Sequence, residues 1–305
     1  GKVAFIILIV VWLTSAMVRE KIKWRPWKYL HLLAYVVVSL TFVHVFYIGT
    51  FFQDYVAVRT LWFAMLFVFV STILVRLLSF ASFFKNASTI TRLEMVGDSI
   101  MLVTFKPKEV IAPQIGQHVY IQTSAFKSEH PFTVMEYSVG TGEITLGIRK
   151  LGGLWDELLL KKVGDSLYVD GPYGVFTKEA QNTNQKVLIS GGIGVTPFVD
   201  LVRVYGSNTL YINCNRKEAD LVRGDILKSS VSSYLDILEE APSVHNENVI
   251  VGRISADTIK GFVQEKTSSL PYFVCGSPMF ISIVKQILLS LGVKKENIYY
   301  EELGF

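Results

Sequence analysis

Lys186-Val187-Leu188-Ile189-Ser190-Gly191-Gly192-Ile193-Gly194-Val195-Thr196-Pro197-Phe198 is the stretch on which the fold turns. An apolar run between Lys186 and Ser190 has the pattern of a strand buried on both faces. Glycines follow at once, and the chain then opens a helix. A glycine turn between strand and helix lets backbone N–H groups approach a phosphate at the helix's positive end. Such a turn can also do no more than pack helix against sheet, so its neighbours decide.

Downstream, Thr209–Asn213 reads as a second strand, ending in Cys214-Asn215-Arg216-Lys217. No acid follows at the position where one would hold the ribose hydroxyls of NAD. Arg216 and Lys217 suit a 2′-phosphate instead, which favours NADPH over NADH; the other reading is two solvated surface charges. Tyr272-Phe273-Val274-Cys275-Gly276-Ser277-Pro278-Met279-Phe280 is a further strand with a Gly-Pro turn into a helix. That turn sets Cys275 at the strand's C-terminal edge, where open α/β sheets bind ligands. The commoner role for such a cysteine is a small core residue. Residues 182–305 are thus predicted to be an α/β nucleotide-binding domain.

Upstream, the periodicity is that of short alternating strands: Thr89–Val96, Ile100–Phe105, His118–Thr123, Phe132–Met135, Ile144–Arg149 and Ser166–Asp170. This spacing, with Gly and Pro between, predicts a small antiparallel β-barrel over residues 85–181. A barrel followed by an α/β domain is the pairing found in flavin reductases. His130-Pro131-Phe132-Thr133 lies on one strand. Gly147-Ile148-Arg149-Lys150-Leu151-Gly152-Gly153-Leu154-Trp155 runs into a short helix over Asp156–Lys161. A strand aromatic and hydroxyl can hold an isoalloxazine edge and ribityl chain. Arg149, the glycine backbone and a helix N-terminus can hold a pyrophosphate. Either piece alone is a barrel strand or a turn; in this order they predict FAD. Asp170–Phe176 forms the barrel exit, facing the same cleft. Phe305, just after an apparent strand at Asn297–Glu301, could cover the flavin ring or fray.

Residues 1–84 differ in kind. Val3–Val18, Tyr29–Gln53 and Thr60–Val75 carry no Lys, Arg, Asp or Glu, and with snorkelling arginines they read as membrane-spanning helices. The connector Arg19–Lys28 holds five basic residues against one acid, which marks it as cytoplasmic. The flavin and nucleotide domains then lie in the cytoplasm. Tyr29–Gln53 contains His31 and His44, separated by roughly 20 Å along a helix. They are too far apart to share a metal, but suit one haem ligand near each face; histidines satisfied by neighbouring helices are the alternative. On a straight helix the two rings differ by about 140° in azimuth.

Composition agrees with this division. The chain has 305 residues, which suggests more than one domain. A mean hydropathy of +0.39 reflects apolar residues concentrated before about residue 84. The net charge of +4 comes without a basic, aromatic-interleaved patch, so nucleic-acid binding is not expected. Cys214 and Cys275 offer neither a disulfide framework nor metal-ligand spacing. No EF-hand loop and no signal peptide are visible.

These motifs, in this order, resemble the NADPH oxidase and ferric reductase superfamily, most closely its bacterial NADPH oxidase members. The resemblance rests on His130–Thr133, Gly171-Pro172-Tyr173-Gly174, Gly191–Phe198, Cys275-Gly276, Phe305 and the two histidines. It implies a multi-pass cell-membrane protein with a haem-binding helical bundle, an FAD barrel and an NADPH domain. By it, His130, Pro131, Phe132, Thr133, Ile148, Arg149, Gly152, Gly153 and Trp155 would hold FAD. Gly191, Gly192, Gly194, Thr196 and Pro197 would hold the dinucleotide phosphates, with Arg216 at the 2′-phosphate. Cys275 and Phe305 would border hydride transfer, and His31 and His44 would ligate the irons of two b haems. Their axial partners would lie on earlier helices that this sequence lacks, so it is expected to be the later part of a longer protein. The turn carries Trp155-Asp156, with an apparent insertion, where the family usually has Trp-Thr. The implied activity is transfer of electrons from NADPH through FAD and haem to external O₂, giving superoxide. The alternatives are a ferric or cupric chelate reductase, or an electron-donating subunit. Membrane lipid is the expected surrounding, and no obligatory protein partner is evident.

Overall fold

A computed structural model describes residues 1–17, 24–85, 87–124, 127–243 and 247–302. It divides into two compact units, Gly1–Ala81 and Ser82–Phe305.

The first unit is helical: α1 (Lys2–Ala16), α2 (Trp24–Ile48), α3 (Thr50–Asp54) and α4 (Val56–Lys85). Two helices are long and apolar enough to cross a membrane, over Tyr29–Ile48 and Val56–Leu78. The first expected span, Val3–Val18, corresponds to the apolar helix α1, 15 residues long, and its end at residue 18 lies outside the described residues. The last predicted span is in turn longer than its uncharged run, because Arg59 and Arg76 are carried within α4. α2 and α4 join through aromatic rings. Trp62 packs on Phe42 at 5.5 Å and on Phe52 at 5.0 Å, and Phe69 packs on Phe42 at 5.6 Å. Helix hydroxyls are satisfied within their own helix: Ser39, Thr41, Thr60 and Thr72 each donate to the carbonyl four residues back at 2.8–3.0 Å.

The second unit begins with a closed barrel of β1 (Ala87–Val96), β2 (Ile100–Lys106), β3 (His118–Gln122), β4 (His130–Ser138), β5 (Glu143–Arg149) and β6 (Ser166–Tyr173). Its order is β1-β2-β5-β4-β3-β6, antiparallel throughout. The predicted alternation is what fills it: Ile90, Val103, Phe105, Val119, Ile121, Ile144, Leu146 and Leu167 are fully buried within. α5 (Gly152–Leu159) seals the barrel with Leu154, Trp155 and Leu158. It starts and ends earlier than the predicted Asp156–Lys161.

A short helix α6 (Lys178–Asn182) leads to a parallel sheet. Its elements are β7 (Lys186–Gly191), α7 (Val199–Tyr205), β8 (Thr209–Asn215), α8 (Gly224–Ser230), β9 (Ser233–Leu238), β10 (Val249–Val251), α9 (Ala256–Val263), β11 (Tyr272–Gly276), α10 (Pro278–Ser290) and β12 (Ile298–Glu302). The order is β10-β9-β8-β7-β11-β12. The chain works outward from β7 to one edge and returns to β7's other side. The direction therefore reverses beside β7, and ligands of open α/β sheets bind at the strand C-termini at such a point. Gly191 and Gly276 stand there. The glycine turn does not start an α-helix directly: Gly192–Phe198 is a 3₁₀ segment that runs into α7.

Charges and hydrogen bonds join the barrel to the sheet domain. Arg223 pairs with Glu136 of β4 at 3.0 Å and Glu94 of β1 at 3.4 Å. Arg203 of α7 bridges Glu136 and Asp200, and Asp200 accepts from Tyr137 N at 2.8 Å. Ser99 donates to Asp220 at 3.0 Å.

Candidate functional site

Two clefts meet between barrel and sheet. One, of about 560 Å³, is walled by β3, β4 and β5, by the start of α5, and by Ile193 and Thr196 of the 3₁₀ segment. His130, Pro131, Phe132, Thr133, Ile148, Arg149, Gly152 and Gly153 all line it. Pairing explains the convergence. β3 lies against β4 with His118 opposite Thr133 and Ile121 opposite His130, while Arg149 closes β5 opposite Ile100.

The rim of this cleft fits a flavin dinucleotide. Leu151, at the N-cap of α5, makes no side-chain cap, so the first-turn N–H groups stay available. Gly152 has φ +68°, and a Cβ on Gly152 or Gly153 would meet nothing within 4 Å. Open backbone donors at a helix N-terminus beside Arg149 make an anion cradle. His118 and Tyr120 of β3 also line the cleft, beyond the residues expected. They share one face of β3 by its two-residue period, with rings 5.6 Å apart. Burial lowers the His118 pKa, which keeps that imidazole neutral.

The other cleft, about 430 Å³, opens at the C-terminal ends of β7, β8 and β9 and the start of α10, and is lined by Gly191, Gly192, Arg216, Glu239 and Arg253 among others. Arg149 lines both clefts. The residues expected at the dinucleotide phosphates are divided. Gly191 and Gly192 face this cleft, whereas Thr196 faces the flavin cleft and donates to Ile193 O at 3.1 Å. Gly194 and Pro197 are buried packing positions.

Three other expectations change, and a fourth, on Phe305, falls outside the described residues. Cys275 is wholly buried and lines neither cleft. Burial pushes its thiol pKa well up, so its contribution is the backbone against which Gly194 packs. Trp155 points into the barrel core, 3% exposed, because α5 seals the barrel with that face. An acid does stand at the end of β8, supplied by the bend that follows the neighbouring strand β9. Glu240 N donates to Arg216 O at 2.9 Å, and Glu240 Oε1 pairs with Arg216 Nε at 3.1 Å. A 2′-phosphate would have to displace that carboxylate. Phe305 lies outside the described residues.

Glu301 gave no signal in the sequence beyond ending a strand. Parallel pairing of β12 with β11 sets it opposite Cys275, where it lines the flavin cleft. Its Oε2 is buried without a hydrogen-bond partner, and burial raises its pKa to about 7. The folded protein therefore holds a proton that an unfolded carboxylate releases at ordinary pH. Stability from this group is full below the unfolded value of 4.5. It falls as pH rises through about 7 and is flat above. In urea titrations of flavin-free protein at pH 5 and pH 8, Glu301→Gln should lose less stability than wild type, by on the order of 2 kcal/mol after discounting partial exposure. Equal losses would mean that Glu301 ionises normally.

Among the described residues no group of three or more His, Cys, Asp or Glu could hold a metal ion. In the helical unit, Ser15 Oγ lies 3.1 Å from His31 Nδ1, and the imidazole stacks on Trp27 at 4.8 Å. A Cβ on Gly1 would stand 3.0 Å from His44 Nε2, so α1 comes up to that ring.

Residues 85–196 match the family described as the FAD-binding domain. NADH-cytochrome b5 reductase 1 of Kluyveromyces lactis is 23% identical over 211 residues, 62% of this chain and 73% of that protein. The flavohemoprotein of Bacillus subtilis is 26% identical over 214 residues, 63% of this chain and 51% of its own length; the chain thus spans about half of that relative. The crystal structure of flavohemoglobin from Malassezia yamatoensis, with bound FAD and heme, superposes with a TM-score of 0.60 at 23% identity, over 72% of this chain and 60% of that one. Residues 85–196 thus match an FAD-binding domain, and the barrel and parallel sheet together have the fold seen in flavohemoglobin.

Proposed function

We propose that this chain is the electron-donating portion of a multi-pass cell-membrane NADPH oxidase, taking electrons from cytoplasmic NADPH and delivering them to O₂ outside. The observation that carries the reading is one of continuity. A histidine-bearing helix of spanning length precedes a second helix of spanning length, α4, which ends at Lys85, two residues before β1 of the flavin module begins at Ala87. The exposed faces of those helices support a lipid surrounding. Leu61 is 63% exposed and Phe67 73%, while helix hydroxyls bond internally.

When bound, FAD converts a two-electron hydride donor to single-electron delivery, and haem accepts electrons singly. Arg149 and the α5 N-terminus hold the flavin pyrophosphate. Gly191 and Gly192 give the nucleotide close access to backbone, and Arg216, once freed from Glu240, receives a 2′-phosphate. Glu301 holds a proton at the flavin cleft. Haem fits the helical unit in part. A ligating imidazole binds through one ring nitrogen while the other is oriented by a neighbour, and Ser15 leaves His31 Nε2 for such a role. At His44, ligation through Nε2 requires the Gly1 backbone to give way. The described residues of this unit would offer one imidazole, His31 or His44, toward each of two haems.

The balanced reaction is NADPH + 2 O₂ → NADP⁺ + H⁺ + 2 superoxide. In membranes holding the complete protein, NADPH should drive cytochrome c reduction that superoxide dismutase abolishes. NADPH consumption with neither superoxide nor peroxide rejects the oxidase reading. A rate with ferric chelate far above the rate with O₂ selects the reductase instead.

A further inference from the structure

The turn after α5 presents apolar residues to solvent. Leu158 is buried in the barrel, yet Leu159, Leu160 and Val163 are 54%, 82% and 63% exposed. These residues are held, not frayed. Gly164 N donates to Ile90 O at 2.8 Å, and Ile90 N donates to Asp165 O at 2.9 Å. Lys162 N donates to Asp165 Oδ2 at 2.8 Å, and Gly164 has φ +96°, which completes a tight loop. Lys161 and Lys162 stand between the leucines and Val163. Lys161 Nζ reaches Ser166 O at 3.1 Å. The adjacent acid, Asp165, is turned inward to the Lys162 amide.

The geometry points to a membrane-docking knuckle: Leu159, Leu160 and Val163 enter the interface of an anionic lipid leaflet, with Lys161 and Lys162 at the headgroups. Apolar side chains on a hydrogen-bonded loop beside lysines have the chemistry of an interfacial anchor, in which buried apolar area and attraction to anionic lipid add. Its place in the chain supports that occupant over a protein partner. The loop is hydrogen-bonded to Ile90 of β1, the strand by which the chain enters the barrel straight after α4. The inference rests on the reading that α4 spans the bilayer.

The test uses the full chain, with half-buried Cys214 replaced by serine. It is reconstituted into mixed phosphatidylcholine–phosphatidylglycerol bilayers, with retained flavin as the check of folding. A nitroxide is placed in turn at Leu160→Cys, at Phe67→Cys within α4, and at Val204→Cys on α7, which is 63% exposed like Val163. The ratio of collision with O₂ to collision with a water-soluble nickel chelate reports lipid exposure. The expected result is a ratio several-fold higher at 160 than at 204, and high at 67. A high ratio at 67 with equal, low ratios at 160 and 204 overturns the knuckle and leaves the spanning helix standing. A label at 160 shielded from both reagents means protein packing, which also overturns it. A low ratio at 67 rejects the spanning helix, and the knuckle with it.

Discussion

Replacing Gly194 with alanine is expected to cost about 3 kcal/mol of stability, at the upper end of the overpacking range. Gly194 is not held in a left-handed conformation, so the cost is one of space alone. A Cβ there would collide with the backbone carbonyl of Cys275 and stand 2.8 Å from Gly276 N. Those atoms belong to β11, which is hydrogen-bonded on one side to β7 and on the other to β12. No side chain can rotate away. At Gly191 the colliding group is instead the Phe280 ring, at 2.7 Å, and a ring can turn. The Gly194→Ala melting temperature should drop by roughly 10 °C for a unit of this size. NAD(P)H-driven flavin reduction should fall more than dithionite-driven reduction, because the displaced turn carries Gly191 and Gly192. Gly261→Ala in α9, where a Cβ meets nothing, is the matched control and should gain about 0.5–1 kcal/mol. A Gly194→Ala variant as stable as wild type would mean that the close approach of the turn to β11 is wrong.

The contrast between Gly194 and Arg223 shows what a sequence can carry. The barrel was legible because each strand writes its burial with a two-residue period. Ile144–Arg149 was anticipated and Glu143–Arg149 is observed. The strand–glycine-turn signal of Lys186–Phe198 was legible for the same local reason, although not which glycines face a cleft and which face β11. Arg223 left no trace, since its left-handed backbone, φ 53°, and its two glutamate partners come from three separate parts of the chain. Glu240 and Glu301 leave no trace either: one comes from the bend after the neighbouring strand β9, and the other depends on the register of β12 against β11. Trp155 shows the opposite error. It sits in a glycine-rich motif, yet also on the apolar face that Leu154 and Leu158 define, and burial decided its direction.

Arg149 is the residue whose loss should do most to function while leaving the fold intact. Its guanidinium lines both clefts, and Nη1 would stand 3.1 Å from a Cβ at Gly192. Among the described residues no carboxylate pairs with it, unlike Arg203, Arg216, Arg223 and Arg253. An uncommitted cation beside an open helix N-terminus is suited to one anionic group shared by two ligands. Hydrogen bonds to charged groups contribute about 1.5–3 kcal/mol. Arg149→Ala should therefore weaken FAD binding by roughly 10- to 100-fold, read by flavin fluorescence titration. It should also raise the KM for NADPH. Arg216→Ala, remote from the flavin cleft, should raise that KM while leaving FAD affinity alone. The pair separates the two roles: a shared cation moves both constants, whereas a ligand of the nucleotide alone moves one. Unchanged FAD affinity in Arg149→Ala would remove Arg149 from the pyrophosphate site and leave the α5 N-terminus to bind it without a cation.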